Sequence, residues 1–246
     1  LERNIKYITN YKKEKFTMII SSQVPVGTTV NLKNKINFKR KNKINFVYIP
    51  EFLRLGNAYE LYFKQDYVVI GHSNLKVYKK ISSIFKNFSK NIFPMGLKEA
   101  EFSKHFANIF VASSVSLVSQ FSLIADHMGV NLKKVGLALR HDKRIGQKSY
   151  ILPGLGFTGG NIERDLKVLS RLIKQKIKRK PILLNSILKI NEQHNQIPVN
   201  LITNKFKNIK NKKISFLGIT YKENTDTLAG SLTLKYAKEL QKLGAK

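Results

Sequence analysis

The chain has 246 residues, a formal net charge of +30 and no cysteine. That length suffices for one or two domains with hydrophobic cores. The missing cysteine excludes disulfides, thiolate metal sites and cysteine nucleophiles, and we expect no metal site. The charge would ordinarily indicate nucleic-acid binding, but the cations are mostly lysine and spread evenly, so we expect a solvated lysine surface and no nucleic-acid partner.

The first section, residues 1–90, alternates predicted strands and helices. FTMIISSQVPVGT predicts a strand that runs into a Pro-Gly turn, and a helix follows around TVNLKNKI. INFVYIPEF and YVVIG are further β-rich runs, and NLKVYKKISSIFKNF is an amphipathic helix. This alternation predicts a parallel α/β sheet. The first residues lack the apolar core of a signal peptide, and we expect a cytoplasmic protein.

The middle section, residues 91–208, is predicted to be all-helical. Its longest helix runs from about Leu97 to His127, and no Asp, Glu, Lys or Arg stands between His105 and Ala125. A hydropathy window over this stretch would allow a membrane span. Because an asparagine, a glutamine and five serines interrupt the stretch, we expect instead a helix buried in a bundle or dimer core, and no membrane partner.

The last section, residues 209–246, returns to an α/β pattern. NKKISFLGIT predicts a strand, YKENTDTLAG a loop, and SLTLKYAKELQKLGAK a helix capped by Ser231. One strand and one helix cannot bury a core alone, so we expect the start of a second α/β domain. The predicted fold class is therefore α/β with an all-helical middle domain.

The stretch LPGLGFTGGNIERD places Gly154, Gly156 and Gly159 in the G-x-G-x-x-G spacing of a dinucleotide-binding loop. Such a loop needs a preceding core strand and an acidic residue about twenty positions later. Here a proline precedes the first glycine, and KIKRK stands where the carboxylate is needed. The residues argue against a cofactor loop and predict a glycine turn leading into a helix at Asn161, suited to a polar or anionic ligand.

Five blocks in chain order resemble the nucleotide-sugar 6-dehydrogenases, the UDP-glucose and GDP-mannose dehydrogenase family. SSQVPVGT resembles the family's S-T-x-P-x-G-T turn, and IPEFLRLGNA its N-P-E-F-L-x-E-G-x-A. EAEFSKHFANIFVASSVSLVSQ resembles its A-E-x-x-K-x-x-x-N helix, and RIGQKSYILPGLGFTGGNIERD its active-site segment. FLGITYKENTDTL resembles its L-G-L-x-Y-K-x-N-T-D-D. Together the five blocks cover nearly the whole chain.

This resemblance implies an NAD-binding Rossmann domain, a central helical dimerisation domain and a C-terminal domain for the nucleotide sugar. The family's own phosphate-binding glycine loop would then lie upstream of Leu1, the chain would end early in the third domain, and the isolated chain would be inactive. The expected partners are NAD, a nucleotide sugar and a second copy of the chain. The expected reaction is oxidation of a sugar C6 alcohol, with the glycine turn on the substrate side.

The resemblance also implies roles for residues at matching positions. Lys104 and Asn108, four apart on one helix face, match an oxyanion-stabilising pair. Asp165 matches an acid that moves protons through water, and Glu51 a supporting carboxylate. The other matched positions are expected to bind the nucleotide sugar (Phe52, Leu53, Arg144, Tyr150, Gly156, Phe157, Gly159 and Lys222) or the cofactor (Gln23).

Simpler roles for the three central residues stay open from the residues alone. Lys104 fits a solvated helix lysine, and Asn108 fits an amide satisfied by local hydrogen bonds. Asp165 fits an acid in the first turn of a helix, where the helix dipole stabilises it.

The chain departs from the family's pattern at the nucleophile. The family's G-G-S-C-x-P-K-D becomes GGNIERD, so Asn161 stands in place of the catalytic cysteine, and an amide cannot form a thiohemiacetal. Gln23 replaces a threonine, and Leu55 and Gln120 each replace an acid. Two interpretations stay open: a dehydrogenase with altered chemistry, and a non-catalytic module for sugar-nucleotide binding or dimerisation.

Overall fold

The computed structural model of the chain describes residues 1–12, 14–38, 40–53, 56–158 and 160–246. The chain divides into two compact units, Leu1–Phe106 and Ala107–Lys246. The first unit is built around a sheet, and the second is helical. The predicted succession of an α/β section and a helical section is therefore confirmed.

The sheet of the first unit has four strands in the spatial order β1-β2-β3-β4. The strands are β1 (Thr17–Ile20), β2 (Asn45–Tyr48), β3 (Val68–His72) and β4 (Ile92–Met95). The β1–β2 and β3–β4 pairs are parallel, whereas β2 and β3 are antiparallel, with Val47 opposite His72. The prediction of a parallel sheet is therefore wrong at one of the three pairs.

The helices between the strands differ in length. The helices of the first unit are α1 (Glu2–Tyr11), α2 (Thr28–Phe38), α3 (Ala58–Phe63) and α4 (Leu75–Phe85). Helices α2 and α4 each have 11 residues and join the parallel pairs, because a parallel connection must carry the chain back along the whole strand. Helix α3, between β2 and β3, has only 6 residues.

Apolar side chains are buried on both faces of the sheet. Along β2, Phe46 and Tyr48 belong to one hydrophobic cluster, whereas Val47 and the following Ile49 belong to another. This alternation follows from the two-residue period of a strand. It explains why the sequence of β2 is a continuous apolar run and not an alternating one.

The second unit consists of helices and loops. Its helices are the greater part of α5 (Leu97–Met128), then α6 (Leu132–Leu139), α7 (Gly160–Leu172), α8 (Ile182–Asn195), α9 (Ile197–Phe206) and α10 (Leu232–Lys242). A π-helical turn, Ile173–Ile177, continues α7. Ser231 Oγ accepts a hydrogen bond from the Leu234 N–H at 3.1 Å, which confirms the predicted cap of α10.

Helix α5 has the predicted extent, but only part of it is buried within the chain. Within the chain, only 17% of its most apolar 18-residue window is buried, and α5 is the one helix among the described residues that is long and apolar enough to cross a membrane. Phe106 and Phe110 are 60% and 66% exposed. Ile109 and Ala112 of the same helix pack in a core with Leu166 and Ile187, so one face of α5 is buried within the chain and the opposite face is not.

Residues 212–220 do not form the predicted strand. The Ile214 N–H donates to the carbonyl of Lys246 at 2.9 Å, and the Lys246 N–H donates to the carbonyl of Lys212 at 2.8 Å. A strand requires a run of such pairs. These two bonds and one from the Asn211 N–H to the carbonyl of Gly244 do not make a ladder, so the segment is irregular.

Candidate functional site

Two predicted site residues of the first unit follow neighbouring strands. Gln23 comes three residues after β1 and is half-buried, and Glu51 comes three residues after β2 and is exposed. Because β1 and β2 are parallel, their carboxyl ends lie at the same edge of the sheet. In open α/β sheets, ligands bind at this edge.

Lys104 lies on α5 above an aromatic pair. Its Nζ is 5.0 Å from the centroid of the Phe52 ring, and the Phe52 ring is 4.8 Å from the Tyr67 ring. Burial, and then the charge of Asp66, raise the pKa of the Tyr67 phenol. Lys104 is itself half-buried, which does not fit a fully solvated helix lysine. Leu53, next to Phe52, is also half-buried.

In the second unit, the structure brings Asn108 and Asp165 together. Asn108 Nδ2 donates to Asp165 Oδ2 at 2.7 Å, although the two residues lie 57 positions apart on α5 and α7. Asp165 is 1% exposed. It is the sixth residue of α7, so it is not a first-turn acid, and the amide of Asn108 is not satisfied locally. A buried carboxylate needs such a donor, since burial without one is costly.

Asn161 lies one helical turn before Asp165 on α7. It is the second residue of the helix and is exposed. Its Oδ1 accepts a hydrogen bond from Arg164 Nη2 at 3.2 Å. Positions 161 and 165 share one helix face, so Asn161 and the buried acid stand next to each other along α7.

The glycine turn is held by two side chains of α8 that the sequence did not single out. Asn191 Oδ1 accepts from the Phe157 N–H at 2.8 Å, and Asn191 Nδ2 donates to the Phe157 carbonyl at 2.8 Å. His194 Nε2 lies 2.7 Å from the carbonyl oxygen of Gly154. The one sequence signal was an asparagine one turn after Ile187, on the buried face of α8.

Gly156 and Phe157 determine the backbone shape of this turn and its packing on the core. Gly156 has φ +87°, and a Cβ there would lie 2.6 Å from Asn191 Oδ1. The Phe157 ring is buried in the core with Leu166 and Ile187, so only its backbone borders the turn. Gly159 lies outside the described residues.

The loop that carries Lys222 is bonded to the same turn. Thr158 Oγ1 donates to the carbonyl of Gly230 at 2.7 Å, and the Tyr221 hydroxyl donates to the carbonyl of Thr158 at 3.3 Å. Lys222 follows Tyr221 directly and is exposed. The structure therefore places Lys222 one residue from a contact with the glycine turn.

Arg144 forms a salt bridge with Asp142. Its Nη2 donates to Asp142 Oδ2 at 2.6 Å and its Nε to Asp142 Oδ1 at 3.1 Å. These hydrogen bonds lower the pKa of the Asp142 carboxyl and raise that of the Arg144 guanidinium. These bonds use Nε and Nη2, so the Nη1 group still has donors for a ligand. Tyr150, on the same loop, is 40% exposed.

Two family models match the chain. Residues 1–89 match the NAD binding domain of the UDP-glucose/GDP-mannose dehydrogenase family, and residues 98–193 match its central domain. The two matches lie in the chain order that the five sequence blocks predict.

Individual relatives agree with these models. The chain is 28% identical over 243 residues to UDP-glucose 6-dehydrogenase YwqF of Bacillus subtilis, covering 98% of the chain and 55% of the relative. It is 30% identical over 244 residues to the putative UDP-glucose 6-dehydrogenase YtcA of the same organism, covering 96% of the chain and 55% of the relative. The chain thus spans about half the length of these curated relatives.

A solved structure shows the same fold. A UDP-glucose dehydrogenase from Pyrobaculum islandicum superposes with a TM-score of 0.91 at 28% identity, covering 100% of the chain and 57% of that protein. A UDP-D-ManNAc dehydrogenase from Pyrococcus horikoshii, at 23% identity and a TM-score of 0.83, shares the fold over 99% of the chain and 58% of that protein.

Proposed function

Because the chain belongs to the UDP-glucose/GDP-mannose dehydrogenase family of NAD-dependent nucleotide-sugar dehydrogenases, we propose that it oxidises a CH–OH group of a nucleotide sugar. The hydrogen bond between Asn108 and Asp165 carries the proposal, since it joins two residues at matching catalytic positions at a buried point. UDP-glucose is the first substrate to test, because the similar curated proteins are named UDP-glucose 6-dehydrogenases.

The first unit fits a nicotinamide cofactor at the carboxyl edge of β1 and β2. Gln23 lies at this edge and supplies an amide that can hydrogen-bond to the cofactor. When bound, NAD accepts the hydride that the alcohol carbon loses. The phosphate-binding glycine loop of the family remains predicted upstream of Leu1.

The described residues supply the proton and charge chemistry of an alcohol oxidation. The Lys104 ammonium and the Asn108 amide, four residues apart in the sequence of α5, match the pair that stabilises a developing alkoxide in the family. Asp165 fixes the orientation of the Asn108 amide through its hydrogen bond and receives the hydroxyl proton through water. Glu51, exposed at the sheet edge, is the supporting carboxylate.

Asn161 limits how far the oxidation proceeds. The chain has no cysteine, so no thiolate can hold an aldehyde covalently during a second oxidation. One hydride transfer needs only a base, an oxyanion site and NAD. We therefore expect an aldehyde or ketone product and no covalent intermediate.

Mass spectrometry after incubation of the full-length protein with NAD and UDP-glucose tests this expectation. The expected result is an aldehyde or ketone with one NADH per sugar and no adduct on the protein. Asn161→Cys should form a covalent adduct and yield some uronate, and Asn185→Ala, at an exposed position of α8, serves as the control. Stoichiometric uronate with two NADH per sugar from the unchanged protein would contradict the proposal.

A non-catalytic sugar-nucleotide-binding module is the second candidate. The replacement of the nucleophile by Asn161, together with Leu55 and Gln120 at acidic positions of the family, favours it. Calorimetric binding of UDP-glucose without NADH production, also in Asn161→Cys, would support this candidate over the dehydrogenase.

We also propose that the chain self-associates through α5. The exposed phenylalanines Phe102, Phe106 and Phe110 recur every four residues along one face of this helix. An unburied apolar face of this length is typical of an association surface. A homodimer through α5 would give this face the burial that it lacks within the chain.

A further inference from the structure

Glu101 is a fully buried carboxylate that the proposed chemistry does not use. It lies on α5 and is 0% exposed. Its Oε2 accepts from the Gly27 N–H at 2.5 Å, and its Oε1 accepts from the Thr29 N–H at 2.7 Å. Both donors are at the start of α2, where the backbone N–H groups lack partners within the helix and the helix dipole favours a negative charge.

His105, one helical turn after Glu101 on α5, contacts the same segment. Its Nε2 lies 2.9 Å from the carbonyl oxygen of Val24, and its side chain is 4% exposed. A carbonyl only accepts, so Nε2 carries the hydrogen and donates. Glu101 and His105 therefore hold the two ends of the segment 24–29 from a single face of α5.

The residues next to these contacts belong to the proposed cofactor and catalytic positions. Gln23 immediately precedes the gripped segment at the edge of the sheet. Lys104 immediately precedes His105 on α5, with its Nζ over the Phe52 ring. One rigid helix thus carries both Lys104 and the two side chains that fix the segment next to Gln23.

We propose that Glu101 and His105 are positioning residues that hold the turn 23–29 against α5 and so keep Gln23 in register with Lys104. This inference rests on the proposed function, because it takes Gln23 as a contact of NAD. Since charge-assisted hydrogen bonds to backbone N–H groups are strong and directional, their loss displaces the turn before it unfolds the unit.

The variant Glu101→Gln, made in the full-length protein, tests the hydrogen bonds of Glu101 with almost no change of side-chain shape. Its amide can accept from only one of the two N–H groups and turns a donor toward the other. We expect faster amide hydrogen exchange over residues 24–29 and roughly tenfold weaker NAD binding, with UDP-glucose affinity unchanged. Glu99→Gln removes the same charge from the exposed first turn of α5 and should change neither quantity.

A pair of variants at His105 provides a second test should Glu101→Gln not fold. His105→Leu removes the donor to Val24 and should weaken NAD binding selectively, whereas His105→Gln retains a donor and should behave like the unchanged protein. A loss of NAD and UDP-glucose affinity in equal measure would indicate general destabilisation and would overturn the positioning role. Unchanged amide hydrogen exchange over residues 24–29 in Glu101→Gln would show that Glu101 does not hold this segment.

The exchange measurement separates this inference from the proposed function. If the unchanged protein binds no NAD, the cofactor assignment fails. Amide hydrogen exchange over residues 24–29 alone then decides whether Glu101 and His105 hold this segment. Normal NAD binding that none of the four variants alters would overturn the inference and leave the proposed function intact.

Discussion

At the scale of single residues, the second unit fixes its glycine turn with a side-chain amide instead of a backbone ladder. Asn191 satisfies both the N–H and the carbonyl of Phe157, and it is 9% exposed. Buried backbone groups without a partner cost free energy. The Asn191 side chain supplies the acceptor and the donor that a neighbouring strand would otherwise provide. The turn owes its shape to α8, a helix that follows it in the chain.

Asn191→Ala should lower the free energy of unfolding by about 2–4 kcal/mol, because it leaves two buried backbone groups of Phe157 without partners. Asn185→Ala, the same substitution at an exposed position of α8, should change it by less than about 0.5 kcal/mol. Chemical denaturation of the two variants checks the difference. Equal effects would contradict the structural role of Asn191.

Gly156→Ala should be destabilising by about 2 kcal/mol or more, since the residue has a left-handed φ of +87° and its Cβ would lie 2.6 Å from Asn191 Oδ1. Gly154→Ala is the matched control, because a Cβ there meets nothing within 4 Å. Thermal unfolding measures both. A similar melting temperature for the two variants would show that the turn does not need glycine at position 156.

The sequence indicated the catalytic residues of the candidate site, but not the side chains that hold its glycine turn through hydrogen bonds. Asn108 and Asp165 were predicted from matching positions, and the structure joins them. Asn191 and His194 were not predicted, since a polar residue on a mostly apolar helix face does not reveal which distant backbone it contacts. Their partners depend on tertiary packing, which no local pattern encodes.

At the scale of elements, α5 has two different faces. Small or polar side chains such as Ala112, Ser116 and Ser119 face the interior, and large apolar side chains such as Phe110 and Phe121 face outward. The sequence predicted the extent of the helix because no Gly or Pro interrupts it between Leu97 and His127. It did not predict the burial, because composition alone does not say which face packs within the chain.

Phe110→Glu should abolish self-association, because it places a charge in the centre of the exposed face of α5, where Phe110 is 66% exposed. Phe93→Glu makes the same change on strand β4, at a residue that is 50% exposed, and should leave the association state unchanged. Sedimentation velocity at several concentrations compares the two. A monomeric unchanged protein would refute the dimer, and recovery with membranes after a carbonate wash would favour a membrane span.

The sheet and the last section show where strand predictions fail. All three predicted strands of the first section form, but their apolar runs did not reveal that β2 and β3 pair antiparallel. NKKISFLGIT has the composition of a strand, and yet residues 212–220 form none. A strand is a relation between segments, so an apolar run predicts the capacity for pairing and not the pairing itself.

At the scale of the whole molecule, the net charge of +30 dominates the electrostatics. Most charged side chains are exposed lysines, and the described residues show few ion pairs on the surface, such as Lys35 with Glu2 at 3.4 Å. A diffuse positive surface attracts any polyanion through counterion release, without recognising a sequence.

Binding of RNA should therefore be weak, independent of sequence and lost between about 0.05 and 0.5 M salt. Fluorescence anisotropy with two unrelated RNA oligomers over this salt range measures the dependence. Retention of one oligomer but not the other at the highest salt would contradict a diffuse surface and indicate a nucleic-acid site.

The carboxylate of Glu101 also has a consequence for the order of events during synthesis. Its contacts with Gly27 and Thr29 span 74 and 72 positions of the chain. At a translation rate of about 5–20 residues per second, the start of α2 leaves the ribosome roughly 4–14 s before the side chain that completes it. Helix α2, with 11 residues, is marginal on its own. The start of α2 therefore gains its two hydrogen bonds to Glu101 only after α5 has emerged.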